Sequence, residues 1–231
     1  MDAGKGAEGD RGRWVVAPFL KSKGVSGIDA LVVSHPQQDH IGGMPAVLDE
    51  FKVKNVFDAG SRYSTKTFKI LGEKIEKEKA GYFHARRGAR IEGFRGVQTH
   101  VLSPPDRDTQ DQNVNNECLV LKVIYKDKSF LLTGDIEDKA MKDILDSGED
   151  IKADLLKVPH HGSRLGTAGE SFVKAVGPKI SVISVGERNP FHHPSEATLQ
   201  ILSSIPGNQI FRTDKDHAIQ ITSDGAGLTA P

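Results

Sequence analysis

Ser34-His35-Pro36-Gln37-Gln38-Asp39-His40-Ile41-Gly42-Gly43 follows directly on a mostly aliphatic run over 28–33. The run reads as a buried strand, so His35 falls where strand gives way to loop, the place where ligands collect in layered α/β folds. Three groups able to hold a metal, His35, Asp39 and His40, stand within six residues. Taken alone, the two histidines also fit a surface turn.

Two further strand ends carry matching chemistry. Leu131-Leu132-Thr133-Gly134-Asp135 closes a run in a carboxylate, and Leu155-Leu156-Lys157-Val158-Pro159-His160-His161-Gly162 closes another in paired imidazoles. Carboxylate and imidazole together, with no thiolate, suit Zn, Mn or Fe. The lone cysteine, Cys118, starts the run Cys118-Leu119-Val120-Leu121 and is expected as a small buried hydrophobe.

These segments resemble the metallo-β-lactamase superfamily, and within it the hydrolase domain of the ComEC DNA-internalisation competence family. The likeness starts at Asp2-Ala3-Gly4 and continues through 16–20, Ser34 to Gly43 and Asn115-Asn116-Glu117-Cys118-Leu119-Val120-Leu121. It then takes in Thr133-Gly134-Asp135, Pro159-His160-His161-Gly162-Ser163, Ser184-Val185-Gly186 with Asn189, and His193-Pro194-Ser195. It implies an α/β fold, an αββα sandwich of two mixed β-sheets flanked by helices, as one hydrolase domain over 1–231. It also implies metal ligands His35, Asp39, His40, Asp135 and His161. His161 is taken over His160 because Val158-Pro159-His160-His161-Gly162 is similar to a V-P-G-H-G element whose histidine is the ligand.

Two departures from the family pattern matter. Gln37 stands where the middle ligand of the H-x-H-x-D-H loop belongs, and Asn115 and Asn116 occupy the region of a further histidine. A neutral amide is a poor ligand. The expectation is one well-formed site, from Asp39, His40, Asp135 and His161, and a weak second one resting on His35 and a shared Asp135 with amides filling in.

The implied reaction is hydrolysis by metal-activated water. Asp39 would hold the metal or orient that water, and His160 or His193 would protonate the leaving group or steady a phosphate oxygen. The resemblance implies a phosphodiester substrate, with a nuclease acting on the DNA strand that is not taken up. Two other readings stay open: a β-lactamase-like or carboxyl-ester hydrolase on the same scaffold, and a metal-poor inactive remnant.

With 231 residues, 37% of them hydrophobic, the chain can build a sizeable core. Thirty-one basic residues balance thirty-one acidic ones, so no overall charge argues for nucleic-acid binding. Arg86, Arg87, Arg90 and Arg95 form a local cluster, while the lysines and glutamates of 66–79 read as a solvated helix face. No run approaches the roughly 20 apolar residues of a membrane span, although relatives fuse this domain to a membrane channel. By that resemblance the domain is extracytoplasmic within such a protein and cytoplasmic if expressed as given. Family members begin with a strand pair before Asp-Ala-Gly, so an N-terminal hairpin is expected to be missing here, leaving a sheet edge open to self-association.

Strands are expected at 28–34, 53–57, 97–102, 118–125, 128–133, 153–158, 179–185, 208–212 and 217–222, with helices at 43–51, 64–80, 136–147, 168–176 and 195–204. Lys126-Asp127-Lys128 reads as a hairpin turn, Ser195 as an N-cap, and the polar loop 104–116 as an overhang at the site.

Overall fold

The computed structural model describes residues 1–4, 10–61, 63–107 and 111–231. The chain divides into two compact units, Met1–Ala85 and Arg86–Pro231, each with its own apolar core.

In the first unit, β1 (Gly27–Val32), β2 (Lys52–Asp58) and β3 (Gly81–His84) form a three-stranded parallel sheet in that order. A helix opens as a π-turn at Gly12–Val16, continues as α1 (Ala17–Ser22), and is followed after β1 by α2 (Gln38–Ile41) and α3 (Met44–Glu50). Lys66–Glu78 forms α4, N-capped by Thr65, whose Oγ1 accepts from Phe68 N at 3.3 Å. Leu71 and Ile75, one turn apart, bury the inner face of α4, while its lysines and glutamates stay largely in water as expected. Leu31, Val33, Val47, Val53 and Val56 complete the core, each fully buried side chain contributing on the order of 1.5–3 kcal/mol.

In the second unit a six-stranded mixed sheet runs in sequential order from β4 to β9. Its strands are β4 (Val97–Ser103), β5 (Val120–Tyr125), β6 (Lys128–Leu132), β7 (Leu155–Lys157), β8 (Ile180–Ile183) and β9 (Gln209–Arg212). The first three pair antiparallel; β6 to β9 pair parallel. Tyr125 pairs with Lys128 across a two-residue turn, the hairpin expected there. Connections through α5 (Asp138–Asp146), α6 (Gly169–Val176) and α7 (Glu196–Ser203) carry Ile144, Phe172, Val173 and Leu202 into a core with Leu131, Leu156 and Ile183. Ser195 caps α7 by accepting from Thr198 N at 3.2 Å, as expected.

The strand expected at 217–222 is not formed. After β9 the chain makes one helical turn, α8 (Thr213–Asp216), and the Asp216 carboxylate accepts from Arg212 N at 2.7 Å. His217 then takes φ +57°, which breaks any continuous extension, and only a short ribbon of β10 (Thr222–Ser223) and β11 (Leu228–Thr229) follows. No helix among the described residues is long and apolar enough to cross a membrane.

Candidate metal centre

In the first unit the parallel strands end together and the loop after β1 carries the histidine motif. His35 and His40 are buried, with ring centroids 4.1 Å apart, while Asp39 stands exposed in the first turn of α2. Asp2 organises the group. Its carboxylate accepts from Ser34 N at 2.9 Å and Ser34 Oγ at 2.7 Å, and lies 3.0 Å from His40 Nδ1. Burial pushes the Asp2 carboxyl up, but the bond to His40, its charge and the bond from Ser34 N outweigh that and hold it below the usual carboxylate value.

With Nδ1 turned to a carboxylate, His40 presents Nε2 on the side of Asp39, whose Oδ2 is 3.8 Å away. A carboxylate behind Nδ1 is the usual way a protein fixes the tautomer and orientation of a ligating imidazole. His35 has Nδ1 3.0 Å from Ser34 Oγ and Nε2 3.1 Å from Gln37 Oε1. The amide that replaces the expected middle ligand therefore lies directly on the nitrogen His35 would use.

In the second unit Asp135 follows β6 on a Thr133-Gly134 turn and is 1% exposed. Its backbone N–H donates to Cys118 Sγ at 3.4 Å, so the cysteine, buried as expected, also holds the carboxylate's backbone. His161 Nε2 lies 3.2 Å from Asp135 Oδ2, and its Nδ1 donates to Ser184 O at 2.7 Å. This is the same device with a carbonyl in place of Asp2. Lys157 Nζ donates to Gly134 O and Val158 O and stands 3.8 Å from Asp135 Oδ1.

His160 and His161 both take left-handed backbone, φ +45° and +53°. Two successive non-glycine residues in that region cost on the order of 1–3 kcal/mol each. The strain turns the two rings away from each other, centroids 6.3 Å apart, so that His161 faces Asp135 and His160 faces Glu137, Nδ1 to Oε1 3.2 Å. Glu137 in turn accepts from Asn113 Nδ2 and Asn115 Nδ2, both at 2.8 Å. The His193 ring lies 5.9 Å from that of His160 and stacks on Phe191; Asn189 clamps its backbone N–H and carbonyl, each at 2.8 Å. Burial first, then the neighbouring His160 and His161 charges, pushes the His193 imidazole down, against an opposing pull from Asp135.

The two asparagines are used differently. Asn116 Oδ1 accepts from Ala140 N at 3.3 Å in the first turn of α5, where an exposed N–H of a helix needs an acceptor, so it is committed to the helix. Asn115 Oδ1 is buried without a hydrogen-bond partner among the described residues. Two of the four clustered arginines are spent locally: Arg86 donates to Pro105 O and Arg107 O, and Arg87 to Leu102 O and to Asp143. Within the loop 104–116, residues 108–110 lie outside the described residues.

The donor chemistry fits a divalent cation: a buried His40 and a partly buried His161 held from behind through Nδ1, carboxylates beside their Nε2 atoms, and no cysteine thiolate in either group. Sequence reasoning missed Asp2 as the anchor of His40, the Ser184 carbonyl behind His161, and Glu137. The position of Glu137 two residues after Asp135 was the one available signal.

A family model described as the metallo-beta-lactamase superfamily matches residues 1–107. Over that stretch the chain is similar to this superfamily. ComE operon protein 3 of Bacillus subtilis (strain 168) is 37% identical over 210 residues, covering 90% of this chain and 26% of the relative. Competence protein ComA of Neisseria gonorrhoeae is 31% identical over 216 residues, covering 93% and 28%. The chain thus spans about a quarter of the length of these curated relatives, and the resemblance read from the motifs holds. Among solved structures, CmlA, a diiron β-hydroxylase from Streptomyces venezuelae, superposes with a TM-score of 0.53 at 12% identity, over 81% of this chain and 44% of that one. That likeness bears on the fold alone, and the α/β architecture with helix-flanked sheets is the one expected.

Proposed function

We propose that this chain is a metallo-β-lactamase-type, metal-dependent phosphodiesterase of nuclease type. In this reading Asp39, His40, Asp135 and His161 hold one divalent cation, Zn or Mn, and His35 adds a weaker second position. The observation that carries it is the anchoring of His40 and His161 through Nδ1, by Asp2 and by the Ser184 carbonyl, which gives each imidazole the orientation of a ligand. The bound cation would supply Lewis acidity and an activated water at neutral pH.

The rest is done by the chain. Glu137, itself fixed by Asn113 and Asn115, keeps the His160 ring in one orientation beside His193. A lowered His193 leaves that ring neutral near pH 7 and able to accept a hydrogen bond, and His160 is assigned to give a proton to a leaving oxygen. Asp39, exposed at the start of α2, orients the water. A phosphodiester is favoured over a carboxyl ester by the relative whose name, competence protein ComA, places it in competence, and DNA is the polymer that reading implies.

The test is elemental analysis of protein purified without chelator, followed by turnover of bis(p-nitrophenyl) phosphate and of a chromogenic cephalosporin with Zn or Mn restored. About one metal per chain with diester turnover is expected. Cephalosporin turnover without diester turnover would replace this reading with the small-ester one, and absence of both metal and turnover would leave a remnant.

A further inference from the structure

The first unit holds a second imidazole–carboxylate pair that the proposed metal chemistry does not use. Asp58 ends β2 and is 4% exposed. Its Oδ1 accepts from Gly60 N at 2.8 Å and from His84 Nδ1 at 2.6 Å, and its Oδ2 accepts from the Tyr82 hydroxyl. Burial, then the bond to Asp58 and its charge, raise the Tyr82 phenol well above its ordinary value, so it stays a donor.

The His84 side chain is 60% exposed, yet its ring is fixed on three sides. Asp58 takes Nδ1, the Tyr82 ring meets it edge-on at 5.2 Å, and Gly60 packs so closely that an added Cβ would stand 3.0 Å from His84 Cγ. Gly60 has φ +71°, a conformation open to glycine, which lets the chain turn back under the ring. A buried carboxylate that spends its hydrogen bonds on an exposed imidazole orients that imidazole's other nitrogen, Nε2, for something outside the unit.

Its place in the fold says what lies near it. Asp58 pairs in register with His84 at the ends of neighbouring parallel strands, and His35 follows β1 at the same edge. Ligands of parallel sheets bind beyond the carboxyl ends of the strands. A small pocket lined by Val33, His35, Pro36, Asp58, Ser61 and Phe68 lies at this end of the strands. Ser61 Oγ is buried there with no hydrogen-bond partner among the described residues, a donor that a ligand oxygen would satisfy.

We propose that His84 is a substrate-contacting residue whose Nε2–H binds an anionic phosphate oxygen, with Asp58 as its positioning residue and Ser61 as a second donor. With Asp58 on Nδ1 and a phosphate oxygen on Nε2 both ring nitrogens donate, so the pair offers a directed donor in a chain with no net charge to attract a polyanion. This deepens the phosphodiester reading and rests on it for the substrate class.

The test is imidazole ¹⁵N NMR of the Zn-loaded full chain, titrated with dimethyl phosphate, with the His84 signal assigned by its loss in His84→Gln. The variant lies at an exposed site and keeps its fold, checked by an unchanged melting temperature. The His84 Nε2 signal is expected to move saturably, and the diester to bind His84→Gln about tenfold more weakly, the cost of one charge-assisted hydrogen bond. Asp58→Asn is expected to weaken binding in the same direction while leaving metal content unchanged. A His84 signal that stays still, or equal affinity in His84→Gln, overturns the proposal. A moving signal in a protein that turns over no diester would keep the binding site and discard the hydrolase reading instead.

Discussion

Asp135 is the residue on which the proposed ligand set turns, because it alone is assigned to both metal positions. Its carboxylate is buried and faces His161, and its backbone is held by Cys118, so truncation removes the ligand without removing what positions the loop. Asp135→Ala is expected to take diester turnover to background and metal content well below one per chain, by elemental analysis and steady-state kinetics. Full turnover in this variant would sink the ligand assignment. Gln37 tests the other position. Its Oε1 sits 3.1 Å from His35 Nε2, so an imidazole at the same place would bring a nitrogen donor where the amide now lies. Gln37→His is expected to raise the stoichiometry from about one metal per chain toward two. An unchanged ratio would mean that the weakness of the second position has another cause, with the committed Asn116 the next suspect.

At the scale of elements, the motif loop depends on a close helix contact. A Cβ added at Gly43 would fall 2.2 Å from Ala3 O and 2.5 Å from Gly12 N, and one at Gly12 would fall 1.9 Å from Gly43 O. Backbone meets backbone there, so nothing flexible can yield. Gly43 N also donates to Gly4 O at 2.9 Å, and Ala3 N to His40 O at 2.8 Å, which ties the segment carrying Asp2 to the loop carrying His40. Gly43→Ala is therefore expected to destabilise the first unit by about 1–3 kcal/mol, read as a lower denaturation midpoint, and to lower metal affinity with it. Stability within about 0.5 kcal/mol of the parent would show that the contact is looser than described.

The same elements show what the sequence could tell and what it could not. Strands β4 to β9 were legible because β-branched and aliphatic runs there end at Gly, Pro or Asp. Strand β3 was not: Tyr82, Phe83 and His84 are all exposed, so no alternation of burial marks it. The helix over 12–22 hid for a similar reason, since Trp14, Val15 and Phe19 face outward and erase the apolar period. In the site, His35, Asp39, His40, Asp135, His160 and His161 stood out because each lies in a short contiguous motif. Asp2, Glu137 and the Ser184 carbonyl did not, since a hydrogen-bond partner distant in sequence leaves no local pattern.

At the scale of the whole molecule, two separate cores raise the question of what metal loss does to each unit. The proposed ligand set draws Asp39 and His40 from Met1–Ala85, and Asp135 and His161 from Arg86–Pro231. A ligand that binds only the folded state stabilises it by about 2.7 kcal/mol when present at 100 times its dissociation constant. For a chain of this length each kcal/mol moves the melting temperature by roughly 2–4 °C. Chelation is thus expected to lower the melting temperature by about 5–10 °C, and restored Zn or Mn to reverse it. If the proposed set holds, the shift is expected in probes of both units: Trp14 fluorescence reports the first unit, which carries the chain's one tryptophan, and near-ultraviolet tyrosine signal from Tyr125 contributes from the second. The Asp135→Ala protein should melt at the chelated temperature with or without metal. A chelator-sensitive transition seen by Trp14 alone would assign the cation to His35, Asp39 and His40 of the first unit, and Asp135 and His161 would leave the ligand set.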